Sequence, residues 1–460
     1  MTEIFSEERQ YGLVKLFGTD GIRGIAYQHP ITPELGSRLG RALVFFCRAR
    51  DIDPILVVGR DTRASGEALE RAVVSGVRSV GGQSFVLGEM PTPGVAFLTR
   101  DLGAGAGVVI SASHNPYEYN GFKVFTREGL KLSLEEEAEL ESLILAIPTV
   151  GEKEDPGSMK VVEDAPKRYI SFLKKTFPED LALRDMKIVL DCANGATYKI
   201  APTLFERLET DLTILASHPN GENINKDCGS QHTESLRRKV IMEGADVGLA
   251  FDGDGDRLVA VDEKGDPLSG DQLLTICAKM LKETGELKNN LVVSTVMSNM
   301  GFSVALKKLG IKQISTKVGD RHVMEEMHAR QANLGGEDSG HLIFSDYHTT
   351  GDGLLSALQI LRATKTFDTS LSELSTLMKV FPQTLINVPV AKKPEISEIP
   401  TLVEEIKWVE EALGDKGRVL VRYSGTEPVC RVMVEGDQKD TIEMYARKIA
   451  QVVEKTLNQP

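Results

Sequence analysis

The chain has 460 residues, enough for several domains that each bury a core of their own. Its 54 basic and 67 acidic residues leave a net charge of −13, which argues against nucleic acid as the main partner but leaves room for a local basic site for phosphates. No apolar run approaches a membrane span, and Met1 to Arg9 has neither the cationic start nor the apolar core of a signal peptide, so no membrane association and a cytoplasmic location are expected.

The first segment opens on a Gly-rich turn, Phe17-Gly18-Thr19-Asp20-Gly21-Ile22-Arg23-Gly24, with one guanidinium held between glycines as a phosphate contact requires. A helix is predicted over 32–49, a strand over 55–58, the loop Gly59 to Gly66, and a helix over 67–80. This alternation marks a parallel α/β domain, whose sites lie beyond the carboxyl ends of the strands. Val108-Val109-Ile110 reads as a buried strand that breaks off into Ser-Ala-Ser-His-Asn-Pro and exposes the hydroxyl of Ser113. Lys123 follows Asn120-Gly121, read as a turn that brings an ammonium back towards that serine. His114 reads as a structural loop residue. A helix over 132–145 and a stretch rich in Pro, Gly and charge over 148–164 place a boundary near residue 160.

The second segment, 161–264, repeats the alternation and delivers Phe251 to Arg257, FDGDGDR. Its glycines let Asp252, Asp254 and Asp256 converge, although at ~4 Å and an effective dielectric of ~20 each pair repels by roughly 4 kcal/mol. A hard divalent cation removes that conflict, and oxygen-only donors favour Mg²⁺. A calcium EF-hand fits poorly, because the seventh position is Leu258 and the flanks are strand-like. The third segment, 265–380, carries a Gly-Asp-Arg turn at Gly319 to Arg321 and the loop Gly335-Gly336-Glu337-Asp338-Ser339-Gly340-His341. The last, 381–460, starts Pro-rich and extended and holds Arg422-Tyr423-Ser424-Gly425-Thr426-Glu427-Pro428 and Arg431, a clamp suited to a dianionic phosphate. The fold class is therefore α/β: three similar mixed-sheet α/β domains plus a smaller C-terminal α+β domain around a central cleft. Cys47, Cys192, Cys228, Cys277 and Cys430 are scattered and read as reduced thiols.

A hydroxyl, a hard-metal loop, a Glu-Ser pair suited to sugar hydroxyls and a phosphate clamp together point to phosphoryl transfer on a phosphorylated polyol. ISASHNP, DGDGDR, GGEDSGH and RYSGTEP resemble, in order, the four signature loops of the α-D-phosphohexomutase family, and the resemblance spans nearly the whole chain. FGTDGIRG, NINKDCGS, VGDRHVME, TTGDG and SGTEPVCRVMVEG are more similar to the amino-sugar branch than to the neutral-hexose branch.

The resemblance implies a phosphoserine at Ser113 and one Mg²⁺ per chain held by Asp252, Asp254, Asp256 and Ser113. It places Lys123, Arg23, Arg257 and His341 in acid/base or phosphate-stabilising roles. It gives Glu337 and Ser339 to the sugar, and Arg422, Ser424, Gly425, Thr426 and Arg431 to the non-transferred phosphate. The implied reaction interconverts glucosamine 6-phosphate and glucosamine 1-phosphate through a bound glucosamine 1,6-bisphosphate, supplying precursors of UDP-N-acetylglucosamine and the cell envelope. The implied partner is a small phosphosugar, with the chain a monomer or homodimer. Lys123, its pKa lowered by cations such as Arg257, is the first candidate for the base, followed by His114 and His341. The amino-sugar branch usually carries Gln where this chain has Asp338, so that carboxylate is expected either to face away from the sugar or to favour the glucosamine ammonium. The alternatives are a mutase for neutral hexose phosphates, a metal-dependent phosphatase, and a non-catalytic sugar-phosphate sensor. The residues before Lys15 lie outside the resemblance and read as disordered.

Overall fold

The structure is a computed structural model that describes residues 16–18, 20–147, 157–424 and 428–458. The stretch before Lys15, read as disordered from sequence, lies outside the described residues. The chain divides into two compact units, one of Met1–Val296 with Ile314–Ser375, the other of Met297–Gln313 with Thr376–Pro460.

The first unit holds a six-stranded sheet in the order Ile22–Ile25, Tyr119–Thr126, Ala106–Ile110, Ile55–Arg60, Gln83–Glu89, Ser158–Val161. Its central strands pair in parallel, and Tyr119–Thr126 returns antiparallel beside Ala106–Ile110. Helices Pro33–Arg48 and Gly66–Arg78 pack on it through Leu39, Leu43, Leu69, Val73 and Val77, all fully buried at helical spacing. Pro33 and the side chain of Thr32, which accepts from Leu35 N–H, fix where the first of these helices begins. The five-stranded sheet that follows has the order Pro267–Leu268, Leu258–Asp262, Val247–Phe251, Lys187–Asp191, Asp211–Leu215, again mixed. The third has four strands: Lys312–Thr316, Leu291–Thr295, Leu334–Gly336, Leu342–Phe344. These are mixed-sheet α/β layers, as expected.

Asn120-Gly121 is not a turn. Both residues lie inside the strand Tyr119–Thr126, paired with Gly24 and Arg23. A β-carbon on Gly121 would stand 2.6 Å from the carbonyl of Ile22 and 2.8 Å from that of Ser111, so this glycine serves close backbone approach. The hairpin is made by the serine loop itself, between Ile110 and Tyr119, and Lys123 sits opposite Val109.

The second unit is the smaller α+β domain. Gln383–Pro389, Val429–Gly436 and Gly417–Tyr423 form an antiparallel sheet covered by helices Pro400–Leu413 and Lys439–Leu457. Helix Met300–Lys308 is grouped with this unit, and Glu435 shows why. Its fully buried carboxylate accepts from Met300 N–H at 2.7 Å and from Arg418 Nε at 2.6 Å. Among the described residues no helix is long and apolar enough to cross a membrane.

Candidate active site

Ser113 stands at the tip of the loop that follows Ala106–Ile110, in a left-handed conformation with φ 51°. It is almost fully buried, and its Oγ donates to Asp252 Oδ2 at 2.6 Å. Asp252, Asp254 and Asp256 lie in the turn between strands Val247–Phe251 and Leu258–Asp262, and their carboxylate oxygens fall within 4.8 Å of one another. The loop reaches the serine because Gly253 lacks a side chain: a β-carbon there would lie 2.6 Å from the Ser113 carbonyl. Among the described residues this is the acidic cluster suited to a metal ion. Asp254 Oδ1 and Asp256 Oδ1 are buried without a hydrogen-bond partner among the described residues, an arrangement a cation would relieve and one that costs energy without it.

Electrostatics in the triad are split. Burial, then the neighbouring carboxylates of Asp256 and Asp254, push Asp252 well above the usual carboxylate range. Burial also acts to raise Asp256, but Lys123, His341 and Arg257 together hold it well below. Lys123 Nζ donates to Asp254 Oδ2 at 2.7 Å and Asp256 Oδ2 at 3.2 Å, and pairs with Asp20 Oδ2 at 3.2 Å. Burial favours the neutral amine, yet these three carboxylates override it and raise Lys123 well above its ordinary value. The expected lowering by nearby cations is thus reversed: anions outnumber cations around this ammonium.

The remaining residues of the first unit gather around the same point. Arg257 donates its backbone N–H to Asp252 Oδ1 at 3.2 Å, and its Nε lies 3.8 Å from Asp256 Oδ1. Arg23 pairs with Asp20, which also receives Lys131. His341 is buried with Nδ1 3.8 Å from Asp256 Oδ2 and Nε2 3.4 Å from Asp320 Oδ2. Burial works against its protonation, but Asp256 and Asp320 raise its pKa. The Gly351 N–H also points at Nε2, at 3.2 Å, so in the neutral ring the proton sits on Nδ1, towards Asp256. His114 places Nδ1 3.3 Å from Ser113 Oγ, and burial followed by Arg257 and Arg23 lowers it to about 4, leaving a neutral ring. Glu337 accepts from Gly319 N–H at 3.0 Å, while Ser339 is exposed. The Asp338 carboxylate accepts from Asp271 N–H at 3.4 Å, in the first turn of helix Gly270–Glu283.

In the second unit Arg422 and Arg431 are cross-strand partners on adjacent strands. Burial, then the charge of Arg431, lowers the pKa of Arg422, so the pair favours an anion. Ser424 follows, its carbonyl accepting from Lys393 Nζ at 2.8 Å. Gly425 and Thr426 lie outside the described residues.

Sequence reasoning assigned no role to Asp20, Asp61, Arg63, Thr92, Lys131, Asn225 or Asp320. Thr92 clamps the metal loop: its Oγ1 donates to Asp254 Oδ2 at 2.5 Å and its N–H to the Asp254 carbonyl at 2.9 Å. Asp20 and Asp320 stood inside quoted motifs, FGTDGIRG and VGDRHVME, but nothing local showed that they share Lys131.

Four domain families match the chain in order, described as phosphoglucomutase/phosphomannomutase alpha/beta/alpha domains I, II and III and the C-terminal domain, over residues 14–150, 167–265, 269–381 and 385–452. A phosphoglucosamine mutase of Syntrophus aciditrophicus (strain SB) is 53% identical, covering 96% of this chain and 99% of its own. Another, of Syntrophobacter fumaroxidans, is 52% identical, covering 95% and 98%. Among solved structures, a phosphoglucomutase/phosphomannomutase family protein from Burkholderia thailandensis superposes with a TM-score of 0.81 at 23% identity, covering 97% of this chain and 99% of its own. Aspergillus fumigatus N-acetylphosphoglucosamine mutase, solved with GlcNAc-6P and magnesium, gives 0.69 at 17% identity, covering 97% and 96%. At these identities the structures speak for the fold.

Proposed function

The chain belongs to the phosphoglucomutase/phosphomannomutase family, and from that premise we propose that it interconverts glucosamine 6-phosphate and glucosamine 1-phosphate by way of a phosphorylated Ser113. The observation that carries the reading is the hydrogen bond from Ser113 Oγ into the Asp252, Asp254, Asp256 cluster. The amino-sugar preference rests on relatives called phosphoglucosamine mutase that match over nearly the full chain at 46–53% identity.

In the first half-reaction the bond from phosphorus to Ser113 Oγ breaks as a sugar hydroxyl oxygen bonds to the same phosphorus. Lys123 gives a proton to the departing Oγ and recovers one from the sugar hydroxyl, so charge and protons balance. Its environment keeps it an ammonium at rest, ready to donate. The bisphosphate then turns; the bond from its other phosphorus to the sugar oxygen breaks as Ser113 Oγ bonds to that phosphorus. Lys123 gives a proton to the departing sugar oxygen and recovers the one from the Ser113 hydroxyl, which Asp252 Oδ2 holds by a hydrogen bond. Asp252, Asp254 and Asp256 are the residues that would hold Mg²⁺, with oxygen donors only and two orphaned carboxylate oxygens. Bound there, the ion would supply positive charge to offset that on the transferring phosphoryl group. Arg23 and Arg257 supply further positive charge around it, and His341 takes an acid/base or phosphate-stabilising role. Glu337 and Ser339 offer acceptors and a hydroxyl to the sugar, and Arg422, Ser424, Gly425, Thr426 and Arg431 hold the phosphate that is not transferred.

A coupled isomerase assay on wild type and Ser113→Ala, with glucosamine, glucose and mannose phosphates in competition, tests both parts. Turnover of the amino sugar that vanishes in the variant supports the reading. Preference for a neutral hexose would replace the substrate, and inorganic phosphate in place of isomer would replace the reaction.

A further inference from the structure

The left-handed backbone at Ser113 is one that a β-carbon disfavours, so the surroundings must impose it. Among the described residues Arg63 is one of the largest fully buried side chains. Its guanidinium donates to the carbonyls of Ser113 at 2.9 Å, Asn115 at 2.8 Å and Pro116. Its Nε donates to Asp61 Oδ2 at 2.8 Å. That same oxygen accepts from Ser111 Oγ at 2.6 Å, and Ser111 Oγ accepts the Ser113 N–H at 2.9 Å. Both ends of the Ser113 residue are thereby tied to one buried ion pair of zero net charge.

A second group, supplied from the part of the chain that holds the five-stranded sheet, reaches two of the same carbonyls. Asn225 Nδ2 donates to Ser113 O at 2.9 Å and to Asn115 O at 3.1 Å. Asn225 is itself left-handed, with φ 58°, and its N–H donates to the Ala193 carbonyl at 2.9 Å. Asp61, Arg63 and Asn225 have no part in the chemistry proposed above, yet all three converge on the stretch from Ser111 to Pro116 that presents the hydroxyl.

We infer that Arg63 and Asn225 are positioning residues for Ser113. They grip the serine loop from two sides and keep Oγ aimed at Asp252 through both phosphorylated and free states of the cycle. A planar guanidinium is needed because one side chain serves three carbonyls and a carboxylate; the ammonium of a lysine lacks that fork. The inference rests on the reading of Ser113 as phosphoryl carrier, and a displacement of the order of 1 Å in such a group costs about 10²-fold in rate.

The test uses the full-length protein loaded with Mg²⁺. Wild-type turnover and an inactive Ser113→Ala first establish the carrier; an active Ser113→Ala ends the reading itself, whatever the other variants do. Asn225→Asp keeps the shape but turns a donor towards the carbonyls into an acceptor, and Arg63→Lys keeps the charge but loses the fork. Both are expected to lower kcat about 10²-fold with KM unchanged. Both are also expected to shift the phosphorus NMR resonance of the phosphoserine, with Asn225→Ala giving a smaller loss of the same kind. If Arg63→Lys fails to fold, the Asn225 pair decides alone. Folded variants with wild-type kcat and an unshifted resonance would overturn the inference, as would a loss that follows melting temperature while the resonance stays put.

Discussion

Ser113 Oγ and Asp252 Oδ2 lie 2.6 Å apart although 139 residues separate them in the chain. The contact joins the tip of one α/β layer to the turn of the next, and both proposed phosphoryl transfers are made at its serine. Asp252→Asn keeps the hydrogen bond and removes the charge. Turnover is expected to fall by at least about 10²-fold, the loss typical of removing one electrostatic stabiliser, with a higher magnesium requirement. Steady-state rates over a magnesium titration check this; an unaltered requirement would show that Asp252 is not a ligand.

Lys123 is a counter-charge shared by Asp20, Asp254 and Asp256 in a buried setting. Lys123→Met takes that shared cation away from the three buried carboxylates, so stability should drop by about 3–5 kcal/mol in chelator. Magnesium should restore part of it, because the ion supplies positive charge at the same carboxylates. Urea unfolding with and without the metal measures both effects, and equal losses in the two conditions would count against the triad as its site.

Asp338 faces the first turn of helix Gly270–Glu283, where a carboxylate accepts from Asp271 N–H and sits well with the helix dipole. Of the two roles foreseen for it, turning away from the sugar fits this contact. Asp338→Gln is therefore expected to leave the ratio of activities on glucosamine and glucose phosphates within about twofold, and to cost roughly 0.3–1 kcal/mol of stability. A changed substrate ratio would return the residue to the sugar.

Asp352 caps helix Gly353–Phe367 and accepts from the hydroxyl of the buried Tyr169 at 2.7 Å. Burial raises its carboxyl from 3.8 to about 6, so the folded state holds this proton more tightly than the unfolded chain does. The stabilisation is full below the unfolded value near pH 4 and disappears as pH climbs through about 6, of the order of 3 kcal/mol in all. Asp352→Asn mimics the protonated form. Its melting temperature relative to wild type should rise between pH 5 and pH 7, and a flat difference would mean that Asp352 ionises normally.

The metal loop and the serine loop were legible in sequence for a local reason: glycine-spaced aspartates and a Ser-His-Asn-Pro break after an apolar strand have few other uses. The position of Lys123 was legible too, but not its charge state, because Asp20 reaches it from a turn about a hundred residues earlier. Asn120-Gly121 was misread since the dipeptide favours turns, while here the glycine answers to two neighbouring carbonyls that sequence does not show. Arg63 stood in a quoted loop and meant nothing there, for most of its partners are backbone carbonyls fifty or more residues away, which carry no sequence signature. Local patterns reveal which groups a site holds; the contacts that aim them are long-range and invisible until the chain is folded.

The most direct test of the account is fragment mass spectrometry of the protein after incubation with glucosamine 1,6-bisphosphate labelled with oxygen-18 in its phosphates. The account predicts one labelled phosphate on the peptide holding Ser113, chased off by unlabelled glucosamine 6-phosphate at a rate no slower than turnover. Label on a different residue, or label at Ser113 that persists while isomer is formed, would contradict it.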